Sequence, residues 1–563
     1  LQSGRLRYTP LTNFTTRIVS DIVRDDGEQE RREFGMEAEL GGRKVAFSLS
    51  ASEFGRMNWV LHRLGPQAIV YPGQHQHARA AIQWFSGPIR QERIFTHFGW
   101  RKQGTRYMYL HAGGALSADG SPPGVQAQLP SVLQLFQLQP TGDPSERAQS
   151  IRASLRCLSL APDRVTFPLL AAVYRAPFGK IDFSMFLVGR TGVFKTALAA
   201  VCQQHFGSAL DAAHLPGHFA STANALESLV FHAKDTLLVV DDFALTGRHG
   251  DDGLESVAER LFRAVGNQQG RSRMIGNGRL QQGRPPRALL LATGEKVPQG
   301  PSIRARLLIV EVGQGEVDCA TLSACQRAGE NGQLTGSMGA FLCWIAGRYD
   351  ELQQRLQTRS REIRSQGRGR AVHARLPGTL AEMQSGFELW LEFALETGAI
   401  SIAERMELEQ RCERAFRELS ILQARYHQVS DPALCFVRLL KSALACGHAH
   451  VADRRGTAPE SAENWGWRRK PTGQGWIPQG PRVGWVIGTN LFLELAASYQ
   501  IAQDLAGNER LTLSQQTLHH RLQERGLLAS VDHGRQIVQV RRTLEGSPRQ
   551  VLHLKATELV GGC

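Results

Sequence analysis

The residues in this 563-residue chain that could do chemistry begin at Gly189-Arg190-Thr191-Gly192-Val193-Phe194-Lys195-Thr196. Two glycines, a lysine and a hydroxyl at this spacing are what a phosphate cradle needs. Gly189 and Gly192 let the backbone turn its N–H groups toward phosphate oxygens, and a helix start immediately after adds the positive end of its dipole. Lys195 can reach the β- and γ-phosphates, and Thr196 can offer a hydroxyl to the Mg²⁺ that bridges them. Phe194 departs from the pattern, because glycine normally precedes the lysine. The flanking sequence supplies the right context: Phe183 to Val188 reads as a short buried strand and Ala197 to Ala200 as a helix.

Three further segments follow in order. Thr236-Leu237-Leu238-Val239-Val240-Asp241-Asp242 is a buried parallel-strand pattern ending in two carboxylates. Asp241 is expected to hold the hydration shell of Mg²⁺ and Asp242 to polarise the attacking water as general base; capping of a following helix is the other reading of Asp242. Ala288 to Ala292 is a third apolar strand, ending in Thr293, which would meet the γ-phosphate as a sensor. Arg304 and Arg306 stand before a fourth, Leu307 to Val312. An arginine there can point out of its own domain toward a neighbour's nucleotide, with Arg306 favoured over Arg304. Arg375, just before Leu376-Pro377, is a candidate ATP-binding arginine or a surface charge at a helix start.

This ordered set resembles the AAA+ ATPase core, in particular the branch of MCM replicative helicases and related helicases of mobile elements. The resemblance implies an α/β P-loop core, ATP and Mg²⁺ as ligands, and a homo-oligomer, a hexameric ring with nucleotide sites between subunits. Leu11-Thr12-Asn13-Phe14, Thr96-His97-Phe98-Gly99-Trp100 and Tyr109-Leu110-His111-Ala112-Gly113-Gly114 resemble the domain preceding such a core in ATPases of integrated elements and primase-helicases. In MCM-like rings a hairpin inserted between the second and third strands grips DNA in the pore. Here Arg271 to Leu280 holds two short segments about a Gly-Asn-Gly turn, with Arg273 and Arg279 as candidate phosphate contacts.

The elements that must position these residues divide into a strand-rich N-terminal domain (1–149), the P-loop domain (150–398), a helical region (399–460) and a C-terminal domain (461–563) that resembles a winged helix. In the first, Gly41-Gly42 marks a hairpin turn between Arg32–Leu40 and Lys44–Leu49, Ser52-Glu53 starts a single helix through Leu64, and Leu116 to Ser145 reads as a connector. Arg348 to Arg364 reads as a highly charged helix. Thr457 to Pro481 reads as irregular, carrying Trp465, Trp467 and Trp476. In the last domain a helix over Gln515–Arg525 carries His519, His520 and Arg521, and strands over Gln536–Arg541 and Arg549–Leu554 flank Glu545 to Pro548. Arg521 and Arg541 are the candidate DNA contacts, with contact to a protein partner as the other use of such a domain.

Lys and Arg outnumber Asp and Glu 66 to 52, a net charge of +14 that favours phosphate-rich partners. Nine cysteines without a CxxC pair fit reduced thiols in a cytoplasmic protein. Cys446, His448 and His450 match no common zinc spacing and are read as packing or loop residues. No stretch is apolar enough for a membrane span. The chain begins Leu1-Gln2-Ser3-Gly4, without initiator Met or signal segment, and is expected to be processed or an excerpt. The function expected is an ATP-driven DNA helicase or translocase in replication of a mobile element; the alternative is an AAA+ initiator or regulatory ATPase that binds DNA without unwinding it.

Overall fold

The computed structural model describes residues 8–140, 142–245, 251–270, 273–274, 280–281, 283–366, 374–429, 431–471, 473–506, 513–532 and 538–560. The chain forms two compact units, Leu1–Pro298 with Arg306–Ile421, and Gln299–Ala305 with Leu422–Cys563.

The first unit opens with β1 (Thr15–Asp25), β2 (Glu30–Leu40), β3 (Arg43–Ser50), β4 (Arg90–Phe95), β5 (Gly99–Gln103), β6 (Arg106–His111), β7 (Gly114–Leu116) and β8 (Gln126–Ala127). They make a five-stranded sheet in the order β3-β2-β1-β4-β8 and a small sheet β5-β6-β7. Gly41 and Gly42 both have positive φ, and Leu40 pairs directly with Arg43. That is the two-residue hairpin turn expected of consecutive glycines.

The single helix expected from Ser52 to Leu64 is two, Ala51–Arg56 and Trp59–Leu64. The break falls at Met57, which adopts a left-handed φ of 59°. This kink turns Phe54, Met57, Trp59 and Val60 into one core with Phe14, Ile18 and Met36, which a straight helix would not do. The first helix starts one residue earlier than expected, because Ser50 and Glu53 form a reciprocal capping box. The expected connector is also more structured than its composition suggests: Leu129, Leu133, Phe136 and Leu138 are buried.

Behind this layer stands a second five-stranded sheet, all parallel: β9 (Ser184–Val188), β10 (Gly217–His218), β11 (Leu237–Phe243), β14 (Leu289–Gly294) and β15 (Leu307–Glu311) in the order β10-β11-β14-β9-β15. Between β11 and β14 in the chain, β12 (Arg273–Met274) and β13 (Leu280–Gln281) pair as an antiparallel ribbon. Continuous burial along β9, β14 and the first part of β11 explains why these strands read as unbroken apolar runs. The helix Tyr349–Gln366 bears out its charged reading, with Arg355 and Arg359 paired to Glu392 and Glu388 of the helix Leu376–Glu396.

The two layers interlock through the aromatic segments singled out in the sequence. The Trp100 backbone N–H donates to Asp235 Oδ2 (3.0 Å), its indole N–H to the Pro177 carbonyl (2.6 Å), and the Tyr109 hydroxyl to the Asp235 carbonyl (2.7 Å). Arg287 donates to the carbonyls of Phe231 and Asp26, one in each layer. Gly27, at φ 87°, lies against Arg287 and His97 so closely that a Cβ there would sit 2.9 Å from Arg287 Nη1 and 3.1 Å from His97 Nε2.

Burial holds His97 neutral, its pKa pushed down to about 3, and His205 neutral with a pKa of about 4. His205 Nδ1–H donates to the Val201 carbonyl, which leaves Nε2 to accept from Ser154. The unfolded chain binds these protons near pH 6.5 and the folded chain only near 3 to 4, so stability is complete above pH 6.5 and is lost as pH falls. The expected slope is about 1.4 kcal/mol per pH unit per histidine. Thermal melts from pH 7 to pH 4.5 should show it, and His205→Gln should reduce the slope by about one histidine's share, roughly 1.4 kcal/mol per pH unit, leaving that of His97.

The second unit carries β16 (His450–Ala452), β17 (Trp467–Arg469), β18 (Trp476–Pro478), β19 (Arg482–Ile487), β20 (Asn490–Glu494), β21 (Leu528–Ser530), β22 (Val540–Leu544) and β23 (Ser547–Lys555). One six-stranded sheet runs β16-β19-β20-β23-β21, with β22 on β23; β17 and β18 pair separately. The helix Gln515–Glu524 precedes the β22–β23 hairpin as expected, but the strands are shifted and the turn is only Glu545-Gly546, both at positive φ. The hairpin is also built into a sheet with β19 and β20 rather than standing alone. The stretch read as irregular contains the β17–β18 ribbon, whose strands are too short to show an alternating pattern. None of the described helices is long and apolar enough to cross a membrane.

Candidate functional site

The expected site residues of the glycine loop and of β11 and β14 meet at the C-terminal ends of the central strands of the parallel sheet. β9 ends at Val188, the loop follows, and the helix Lys195–Gln203 begins with the lysine itself. Gly189 is required by packing: a Cβ would fall 2.6 Å from the Val312 carbonyl oxygen and 2.8 Å from Val193 Cγ2. Gly192 is required by conformation, at φ 86°. Phe194 also takes a left-handed φ of 64°, which explains why glycine is usual at its place, and its ring is half exposed.

Asp241 and Asp242 oppose Thr293 alone across the β11–β14 ladder, since Val240 pairs with Ala292 and the next pair is Phe243 with Gly294. This is a bulge, the device that re-aims side chains beside functional sites. Asp242 carries the strain, at φ 65°. Its backbone N–H donates to Thr293 Oγ1 (3.1 Å), and Thr293 in turn donates to Asp241 Oδ1. Thr196 Oγ1 donates to the same Asp241 carboxylate at 3.0 and 3.2 Å. Asp242 lies inside β11, so capping a helix is not its role. Its carboxylate lies 3.5 Å from His218 Nε2. The Ala220 N–H donates to His218 Nδ1, which leaves the imidazole proton on the nitrogen that faces Asp242.

Lys195 Nζ donates to the Arg190 carbonyl (2.8 Å). Partial burial lowers its pKa, opposed by Glu295 first, then Asp241 and Asp242. Glu295 also accepts a hydrogen bond from Thr191. Glu295 and His218 were missed in the sequence. Glu295 follows Thr293-Gly294 directly and was within reach of the same strand-end argument. His218 had no signal, because β10 is two residues long.

A lysine, a hydroxyl beside a carboxylate and a loop turned by glycine form a donor set suited to a magnesium-bound triphosphate. Thr196 and Asp241 would hold the ion, and Lys195 and the loop the phosphates; when bound, the ion would neutralise charge on the transferring phosphoryl group. Among the described residues no cluster of three or more His, Cys, Asp or Glu offers another metal site. Gly447 caps the helix Pro432–Cys446 in a left-handed conformation and His450 Nδ1–H donates to the Gly480 carbonyl, so Cys446, His448 and His450 flank an ordinary helix end.

The arginines lie elsewhere. The Arg306 carbonyl accepts from Ser184 N–H (2.9 Å), which puts Arg306 where β9 begins, roughly 15 Å along the strand from the loop where it ends. Its guanidinium donates to Asn267 Oδ1 (2.8 Å), while Arg375 donates to the neighbouring Gly266 carbonyl (3.1 Å). Burial, with Arg375 and Arg263 close by, lowers the Arg306 pKa. Arg375 therefore does not line the P-loop of its own chain. Arg304 ends the short helix Pro301–Arg304 in the second unit.

Of the candidate DNA contacts, Arg273 lies in β12, paired with Gln281, and Arg279 falls outside the described residues. Arg521 is exposed and paired with Glu524, and Arg541 is exposed on β22 opposite Gln550. His519 is buried, its pKa lowered by burial to about 4, and is a core residue rather than a contact.

No family model matches the sequence, and no curated protein does. Among solved structures the chain is similar to the SCCmec type IV Cch protein, described as an active helicase. The TM-score is 0.58 over 96% of this chain and 94% of that one, at 13% identity. The mixed α/β architecture with its parallel sheet is thus shared along nearly the whole length of that protein.

Proposed function

We propose that this chain is a P-loop ATPase of the AAA+ type that drives DNA translocation or unwinding as a ring, in the replication of a mobile element. The observation that carries the reading is the hydrogen-bonded series Thr196, Asp241, Thr293 at the C-terminal ends of the central parallel strands. Lys195 and Thr196 would bind and orient the phosphates and Asp241 would hold the metal, while Asp242, oriented by its contact with His218, would accept the proton of the attacking water. Thr293, pinned between Asp241 and the Asp242 amide, senses the γ-phosphate. Arg306 and Arg375, out of reach of their own loop, complete the site of a neighbouring subunit. The ribbon β12–β13, inserted between β11 and β14, supports a pore contact with DNA through Arg273 and Arg279. The active-helicase description of the similar SCCmec protein supports the same reading.

Strand displacement from a forked DNA duplex tests it. The wild-type protein with Mg·ATP releases the displaced strand, and Asp241→Asn does not, with hydrolysis reduced at least a hundredfold. ATP-dependent DNA binding without displacement by the wild type would instead favour the initiator or regulatory ATPase.

A further inference from the structure

We propose that the β17–β18 ribbon of the second unit is a DNA contact that grips the phosphate backbone of duplex DNA, an inference that rests on the reading of the chain as a DNA motor. Between Glu463 and Glu494 the sequence has no acidic residue, and it places Arg468, Arg469 and Lys470 in succession. In the structure these follow Trp467 on one strand of a two-stranded ribbon, facing Trp476-Ile477-Pro478 on the other.

The ribbon is built to be presented rather than packed. Trp467 anchors its root, buried, with the indole N–H donating to the Val451 carbonyl (2.8 Å). Arg468 ties the same root to the Ala445 carbonyl (2.7 Å). Beyond that point Arg469, Lys470, Pro471 and, on the return strand, Gly473 to Gly475, Ile477 and Pro478 are exposed. A short two-stranded ribbon with no core of its own is marginal in water, so the chain keeps it through this root, through Trp476, which packs against the core of the unit, and through a cross-strand pair in which the Arg469 guanidinium lies 5.5 Å from the Trp476 ring centroid. No carboxylate is among the partners of Arg469 or Lys470 in any ion pair of the described residues. Two cations held out on an acid-free ribbon are complementary to a polyanion. A two-stranded β-ribbon is also narrow enough to enter the major groove, where flanking cations meet phosphates on either side. Trp476 is partly buried, packed against the hydrophobic core of this unit with Arg469 beside its ring, so it is poorly placed to stack on bases, which favours duplex over single strand.

The test is a salt titration of binding to a fluorescent blunt duplex and to a single strand of equal length, using the full chain. Arg469→Gln with Lys470→Gln should weaken duplex binding at least tenfold near 0.15 M salt and lower the slope of log K against log salt by about two, roughly 0.9 per lost phosphate contact. Arg469→Lys with Lys470→Arg, which keeps both charges, should retain duplex binding within about threefold. DNA-free ATP hydrolysis should be unchanged in both variants, which separates this proposal from that of the motor: loss of hydrolysis in the wild type sinks the motor, not the ribbon. An unchanged duplex affinity and salt slope in the glutamine variant would overturn the proposal. A loss confined to single-stranded DNA would overturn the assignment to duplex.

Discussion

Lys195→Ala and Arg306→Ala proteins are each expected to be dead as ATPases, and a mixture of the two to recover part of the activity. Lys195→Ala removes the cation proposed to meet the phosphates within its own chain. Arg306→Ala leaves that chain's P-loop intact and strips the group it would lend to a neighbour, a loss of about 10³ to 10⁵ in rate where such arginines are measured. In a mixed oligomer, some interfaces pair an intact loop from one chain with an intact arginine from the other. The physical basis is the length of β9: the loop lies at its end and Arg306 beside its start. Steady-state hydrolysis across mixing ratios checks this, and a recovery of zero at every ratio would sink the shared site. Arg375→Ala, which alters the same cluster, should be rescued by Lys195→Ala in the same way.

Asp235→Ala is expected to destabilise the protein by about 3 kcal/mol. Asp235 is buried at a left-handed φ of 56°, between the layers. Its carboxylate accepts from the Trp100 amide and pairs with Lys234, whose own ammonium reaches the Trp100 carbonyl. Gly179 and Gly99 are pressed so closely against it that a Cβ on either would clash with its side chain. Removal strands a buried amide and an ammonium together. Chemical unfolding followed by tryptophan fluorescence measures the cost, and Asp235→Asn, which keeps one acceptor but not the charge, should fall between the two.

The parts of the site legible in the sequence were those set by local chemistry. Gly189 to Thr196 and the apolar run before Asp241 are each confined to one loop or strand, and periodicity with residue type places them. What joins them was not legible. The bulge that turns Asp241 and Asp242 toward Thr293, and the contacts of Glu295 with Thr191 and of His218 with Asp242, arise from strands that meet only when the sheet closes. The same holds for the kink at Met57, which no helix propensity demands and which the burial of four side chains in one core imposes. In the second unit the helix before the hairpin was legible from its Ser514 start and Gly526 stop. The short strands β17 and β18 were not, since three residues cannot establish a period.

The packing of Gly27 against His97 and Arg287 has a mechanical consequence. A glycine with no room for a methyl group, a guanidinium that bonds a carbonyl in each layer, and an indole and a phenol that both reach across leave little play between the N-terminal sheet and the parallel sheet. Such a joint is stiff, and a stiff joint transmits displacement without absorbing it. The two layers of the first unit are therefore expected to move together, as one body.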